Sequence, residues 1–180
     1  DHVGDLVEAN DFSGGIAADD DLADGLGLLL FAEGPHGDIG VGGLDLSAGQ
    51  IEVGPGDVVY DLGCGDGRII ITAAQRYGAR TVGIELDPLR YLWCQVWITL
   101  LGLRDRVRVV YGDFFAHDLS EADVVTCYLL QRTNDRLIRK LERELRPGTR
   151  VVSNTFIFAD WTPARYDGQA NLYLYRAQAG

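Results

Sequence analysis

Apolar and polar positions change rhythm near residue 57. Beyond it, strand-like runs alternate with stretches of helical period. Strands are expected at residues 58–62, 80–85, 107–111 and 123–128, and helices at 68–77 and 88–101. A further helix over 134–145 is followed by "RPG", a stop signal, and by the strand "TRVVSNTF". This β-α alternation predicts an open, mostly parallel α/β sheet. The last segment, "TPARYDGQANLYLYRA", places a glycine turn between two short β-prone pieces. An antiparallel hairpin therefore closes the sheet.

Before residue 57 the pattern dissolves. Residues 1–57 hold thirteen of the 23 glycines, and "DLADGLGLLLFAE" supports at most one short helix. Two units follow: an acidic, glycine-rich segment at 1–52, expected to be poorly ordered, and a domain at 53–180. The boundary lies in "VGPGD". A chain of 180 residues is long enough to bury a sizeable core in one compact unit.

Charge sharpens the same division. The formal net charge is -11, but residues 1–57 carry thirteen acids and no Lys or Arg, and the rest carry fourteen acids and sixteen bases. Such a balance opposes long-range attraction of phosphate, so no nucleic-acid partner is expected. The longest apolar run, "LGLLLFA", is too short to span a bilayer, and no membrane partner is expected. Cys64, Cys94 and Cys127 are odd in number and form no C-x-x-C pair, which indicates neither a disulfide framework nor a zinc ribbon. They suit a reducing, cytoplasmic setting. The sequence opens on Asp1 and contains no methionine, so it is expected not to be a complete translation product.

The candidate chemistry sits in "VVYDLGCGDGRIII", a buried strand running into a glycine turn and a helix. Gly63, Gly65 and Gly67 permit a close backbone approach, and the helix that follows aims its first N–H groups at a ligand. The spacing is G-x-G-x-G, not the G-x-G-x-x-G of dinucleotide sites, and Asp61 and Asp66 would repel a pyrophosphate. A ligand with a cationic amino-acid moiety suits those acids better. "VGIELDP" puts Glu85 at the end of the second strand, where a carboxylate can accept both ribose hydroxyls. "VVYGDFF" puts Asp113 at the end of the third strand, within reach of an adenine amino group, with Phe114 to cover the ring. Three acids at three successive strand ends make a nucleoside-shaped set.

Together "YDLGCGDGR", "VGIELDP", "GDFF" and "LRPGTRVVS" resemble the class I S-adenosylmethionine-dependent methyltransferases. More narrowly, residues 53–161 with "NLYLYR" are similar to the small archaeal protein-lysine methyltransferases and their mitochondrial relatives. The resemblance covers about two-thirds of the chain and implies a Rossmann-like fold, S-adenosylmethionine as cofactor, and a protein substrate with an accessible lysine. It implies that Asp61, Gly63, Gly65, Asp66 and Gly67 line the methionine end of the cofactor. Glu85 would hold the ribose, Asp113 and Phe114 the adenine, and Leu86 is a further cofactor-binding candidate. Tyr128, in "VVTCYLL", would lie near the transferring methyl; no dedicated general base is evident, and Tyr128 and Asn154 are the catalytic candidates, beside a water path for the amine proton. One departure stands out: the proline-rich segment and amphipathic helix that precede the glycine strand in the archaeal enzymes have no counterpart in residues 1–52.

Other residues carry simpler readings. Trp93 and Trp97, four apart on a helix, are expected in the core. Asp66 alternatively caps the helix that starts near Gly67. His2, His36 and His117 are isolated, and no metal site is expected. Arg132, Arg136, Arg139, Lys140, Arg143 and Arg146 are interleaved with Glu142 and Glu144, which favours a solvated face. Two further functions remain open: methyl transfer to a small molecule or RNA, and cofactor binding without catalysis.

Overall fold

The computed structural model describes residues 51–178. The expected disorder of 1–52, the short helix within it and any lid formed there therefore lie almost wholly outside the described residues. Strands β1 (Val58–Leu62), β2 (Arg80–Glu85) and β3 (Val107–Tyr111) alternate with helices α1 (Arg68–Tyr77) and α2 (Pro88–Leu100). A single 3-10 turn, Phe114–Ala116, leads to β4 (Val124–Cys127), α3 (Gln131–Glu144) and β5 (Arg150–Asn154). Strands β6 (Arg165–Asp167) and β7 (Leu172–Arg176) complete one seven-stranded sheet of order β3-β2-β1-β4-β5-β7-β6. The first five strands pair in parallel, and β7 runs antiparallel to both β5 and β6. The α/β sheet with its closing hairpin is as the sequence predicts.

Both faces of the sheet are covered, which is why β1 is apolar at every position but Asp61 and is buried along its whole length. Tyr60, Leu62, Val125 and Val151 pack with Leu137, Ile138 and Leu141 of α3. On the opposite face Val59, Val124 and Val152 pack with Ala73 of α1, and Ile70, Ile71 and Ala74 meet Cys94, Trp97 and Ile98 of α2. Ile51 joins that second layer, held there by Arg150, whose guanidinium donates to the Ile51 carbonyl at 3.1 Å and pairs with Asp57 at 2.5 Å.

Several boundaries differ from expectation. Helix α3 starts at Gln131, because Gln131 Nε2 is held by the Ile157 carbonyl at 2.9 Å and by Asp135 at 2.8 Å, while the N-cap Leu130 offers no side-chain cap. Strand β4 stops at Cys127, leaving Tyr128 outside the ladder, and β5 is only the centre of "TRVVSNTF". Trp97 is buried, but Trp93 is 52% exposed. Four residues apart on a helix still leaves about 40° between them, and the core edge falls in that gap. Among the described residues no helix is long and apolar enough to cross a membrane.

Candidate active site

Asp61 is a buried carboxyl group at the carboxyl end of the sheet. It lies opposite Gly83 in the β1/β2 register and opposite Thr126 in the β1/β4 register, and is 3% exposed. The Thr126 hydroxyl donates to Asp61 Oδ1 at 2.7 Å. Burial pushes the Asp61 carboxyl up to about 7; the Thr126 bond opposes the shift, and the charges of Asp66 and Glu85 add to it. A buried carboxylate with one hydroxyl donor, and with no cation paired to it among the described residues, is incompletely compensated.

Above it the chain turns through the glycines. The Gly63 and Cys64 N–H groups both donate to the Ile84 carbonyl, at 2.9 and 3.1 Å. Gly67, at φ 83°, starts α1 so close to α2 that an added Cβ would lie 3.0 Å from Cys94 Sγ. Cys94 Sγ in turn donates to the Gly65 carbonyl at 3.2 Å. Glu85, 7% exposed, clamps the turn from the next strand: its Oε2 accepts from the Gly65 N–H at 2.7 Å and its Oε1 from the Asp87 N–H at 2.9 Å. From the sequence Glu85 is expected to hold a ligand, with a strand-end cap as the alternative. Here it also fixes the loop.

Asp61, Gly63, Gly65, Asp66, Tyr128 and Asn154 come together around one cavity of about 380 Å³. Tyr128 is 69% exposed at its mouth, and its ring stacks on Phe156 with centroids 6.4 Å apart. Asn154 Oδ1 accepts from the Thr155 hydroxyl at 2.7 Å. Thr155 sits at φ 66°, a left-handed conformation that costs a branched residue about 1–2 kcal/mol and recurs at functional sites. Gly67, Glu85, Leu86, Asp113 and Phe114 do not line this cavity. Leu86 is 64% exposed. Asp113 stands past the end of β3, where its Oδ1 accepts from the Phe115 N–H at 2.9 Å, and the Phe114 and Phe115 rings lie 4.8 Å apart beside it. The Gly112 N–H donates to the Glu85 carbonyl at 3.0 Å, so Asp113 continues the same sheet edge as Glu85.

Asp66 precedes Gly67, the N-cap of α1, and its carboxylate meets the first N–H of the helix, as the capping alternative expects. Its carboxylate also grips Arg68, accepting from Nε at 3.0 Å and from the backbone N–H at 3.2 Å. Partial burial would raise the Asp66 carboxyl, but the Arg68 bonds together outweigh that and hold it below the usual range. Arg68, Arg90 and Cys127 also line the cavity and were missed. Arg68 has a signal, standing directly after the glycine turn; Arg90 and Cys127 have none. Burial pushes the Cys127 thiol up to about 12, and hydrogen bonding to Cys94 followed by burial raises Cys64, so neither thiol is a thiolate near neutral pH. Chemistry through a cysteine nucleophile does not fit the cavity. Among the described residues no cluster of three or more His, Cys, Asp or Glu could hold a metal.

Comparison with known proteins gives this edge a context. The family profile described as the ANTKMT methyltransferase domain matches residues 61–165. A protein-lysine N-methyltransferase of Saccharolobus islandicus is 47% identical over 131 residues, 69% of this chain and 81% of that enzyme. The adenine nucleotide translocase lysine N-methyltransferase of Mus musculus is 32% identical over 115 residues, matching 64% of this chain and 50% of its own length. The chain thus spans about half the length of its vertebrate relatives. An RNA methyltransferase from Salinibacter ruber, solved with S-adenosyl-L-homocysteine, superposes with a TM-score of 0.66 at 36% identity, covering 90% of this chain and 92% of the other.

Proposed function

The chain belongs to the ANTKMT methyltransferase-domain family, whose relatives use S-adenosylmethionine, and from that premise we propose that it methylates lysine side chains of a partner protein. One observation carries the cofactor assignment: the buried Asp61 beneath the glycine turn, with no cation of the described residues within 4.0 Å of it. A ligand ammonium would supply the charge that this carboxylate lacks. We assign the methionine end of the cofactor to Asp61, Gly63, Gly65, Asp66 and Gly67, the ribose to Glu85 and Leu86, and the adenine to Asp113 and Phe114. Their order along one sheet edge supports that assignment. The domain is taken as residues 53–180, and the three buried free cysteines suit a reducing, cytoplasmic location.

S-adenosylmethionine supplies, when bound, a sulfonium methyl already activated for displacement. What remains for the protein is to present a neutral amine in line with it. Bringing a lysine of ordinary pKa to its free base near pH 7.4 costs roughly 4 kcal/mol. Tyr128 and Phe156 form an aromatic wall at the cavity mouth, and such a wall lowers that cost by disfavouring the ammonium. Asn154, steadied by Thr155, offers a polar group that can orient the amine.

A second reading, transfer to RNA, is favoured by the Salinibacter ruber neighbour. Against it, Asp61 and Asp66 balance Arg68 and Arg90 in the cavity lining, which offers no net positive charge to a phosphate backbone. The test is to incubate the full chain with methyl-labelled S-adenosylmethionine, a cell lysate and purified total RNA. Label recovered as methyl-lysine after acid hydrolysis supports the first reading. Label in RNA alone overturns it.

A further inference from the structure

In the sequence, α3 mixes bases with acids. The fold sorts them. Arg132, Arg136, Arg139 and Arg143 are spaced by four, three and four, which places all four within an arc of about 60° along one side of the helix. The acids of the helix are each occupied. Asp135 accepts from Gln131 at 2.8 Å, and Glu142 accepts from the Trp161 indole at 3.1 Å. Glu144 is held by the buried Lys140 ammonium at 2.6 Å and by the Leu119 N–H at 3.2 Å. Among the described residues no carboxylate lies within 4.0 Å of any of the four arginine guanidinium groups.

The stripe has a groove and a position. Arg136, Arg139 and Arg143 border a groove of about 420 Å³ with Phe115 at its wall, and the Arg136 guanidinium lies 4.5 Å over the Phe115 ring. Phe115 adjoins Phe114 of the candidate adenine position, and α3 begins three residues after Tyr128. The stripe therefore starts beside the cavity mouth and runs about 16 Å away from it.

We propose that this arginine stripe is the docking surface for an acidic segment of the protein substrate, holding it while the target lysine enters the cavity. The proposal rests on the lysine-methyltransferase reading. Four guanidinium forks in a row, none paired with a carboxylate of the described residues, match the carboxylates of a partner, which they bind in bidentate fashion. A continuous polyphosphate fits less well, because Asp135 sits within the groove among the arginines, and a protein segment can set a donor between its acids to meet it where a uniform phosphate chain cannot. A protein surface that carries acids beside a lysine suits this layout: its acids find the stripe, and its lysine reaches the cavity where Asp61 lies buried without a paired cation among the described residues.

The test uses the full chain and two fluorescein-labelled peptides of roughly sixteen residues. One carries a single lysine followed by a run of glutamates, the other the same lysine followed by glutamines. Anisotropy titrations at about 50 and 300 mM salt are made with the wild type, Arg136→Glu/Arg139→Glu and Arg136→Gln/Arg139→Gln, each checked by S-adenosylhomocysteine calorimetry. The glutamate peptide is expected to bind the wild type about tenfold more tightly at low salt, with the gap closing at high salt and in both variants. Cofactor-product affinity stays unchanged. Equal binding of the two peptides overturns the proposal, as does a preference that survives in both variants. Tighter binding of a short oligouridylate, lost in the same variants, overturns it in favour of RNA. Methyl transfer to the lysine of either peptide is scored separately: binding at the stripe with no lysine methylated sinks the activity reading and leaves the surface standing.

Discussion

Asp61 faces Thr126 and Gly83 across β1, and its burial makes the cavity pH-sensitive in a definite direction. In the unfolded chain this carboxyl ionises near 4, whereas in the fold it keeps its proton until about 7. Between those values the folded state holds the extra proton, so this group's contribution to stability falls as pH rises from about 4 to 7 and is level above. Replacing Asp61 with Asn keeps an acceptor for Thr126 and removes the buried charge. The expected result is a higher melting temperature at pH 8, equivalent to about 1–4 kcal/mol, with little change at pH 4. The same variant should lose S-adenosylhomocysteine affinity by about 10- to 100-fold, the share of one charged contact. In the wild type that affinity should rise with pH through about 7 as the carboxylate forms, a trend that calorimetry between pH 6 and 8 would reveal. A flat profile would detach Asp61 from the ligand.

At the scale of elements, the glycine turn works only because β2 gives it room. A Cβ on Gly83 would lie 2.6 Å from Cys64 Sγ and 2.7 Å from Ile70 Cδ1. Gly83→Ala should destabilise by about 1–3 kcal/mol and weaken cofactor-product binding as well, measured by urea denaturation and calorimetry. Arg150 has the opposite task of fastening, since it ties the carbonyls of Ile51 and Glu52 and the Asp57 carboxylate to the start of β5. Arg150→Ala should cost about 1–3 kcal/mol and lower the melting temperature while sparing ligand affinity, because the anchor lies at the end of the sheet remote from the cavity. The bounds of β1, β2, β3 and α1 were legible in the sequence because each is buried in a regular pattern and bounded by glycine or by a charged turn. The start of α3 was not legible. Its first turn is held by the distant Ile157 carbonyl, and no capping residue announces it.

For the molecule as a whole, a ligand that binds only the folded state adds stability by mass action. S-adenosylhomocysteine at 100 times its dissociation constant should add about 2.7 kcal/mol, visible as a raised melting temperature that NAD does not reproduce. All three free thiols are buried, so a thiol reagent should label none in the native domain and three after denaturation. By itself the sequence determined the architecture and the run of acids at successive strand ends, since buried parallel strands, glycine turns and strand-end acids are local patterns. Asp61, Glu85 and Asp113 could all be picked out in that way. Only the tertiary structure decided what each of them touches: that Glu85 clamps the Gly65 N–H, that Asp66 grips Arg68, and that Trp93 faces outward while Trp97 is buried. It alone separated the charges of α3, because which acids remain free depends on Trp161, Lys140 and Leu119, residues brought to the helix from elsewhere in the chain or from its own next turn. A side chain's partners lie at distances in sequence that no local pattern encodes, and they settle whether a charge is spent or available.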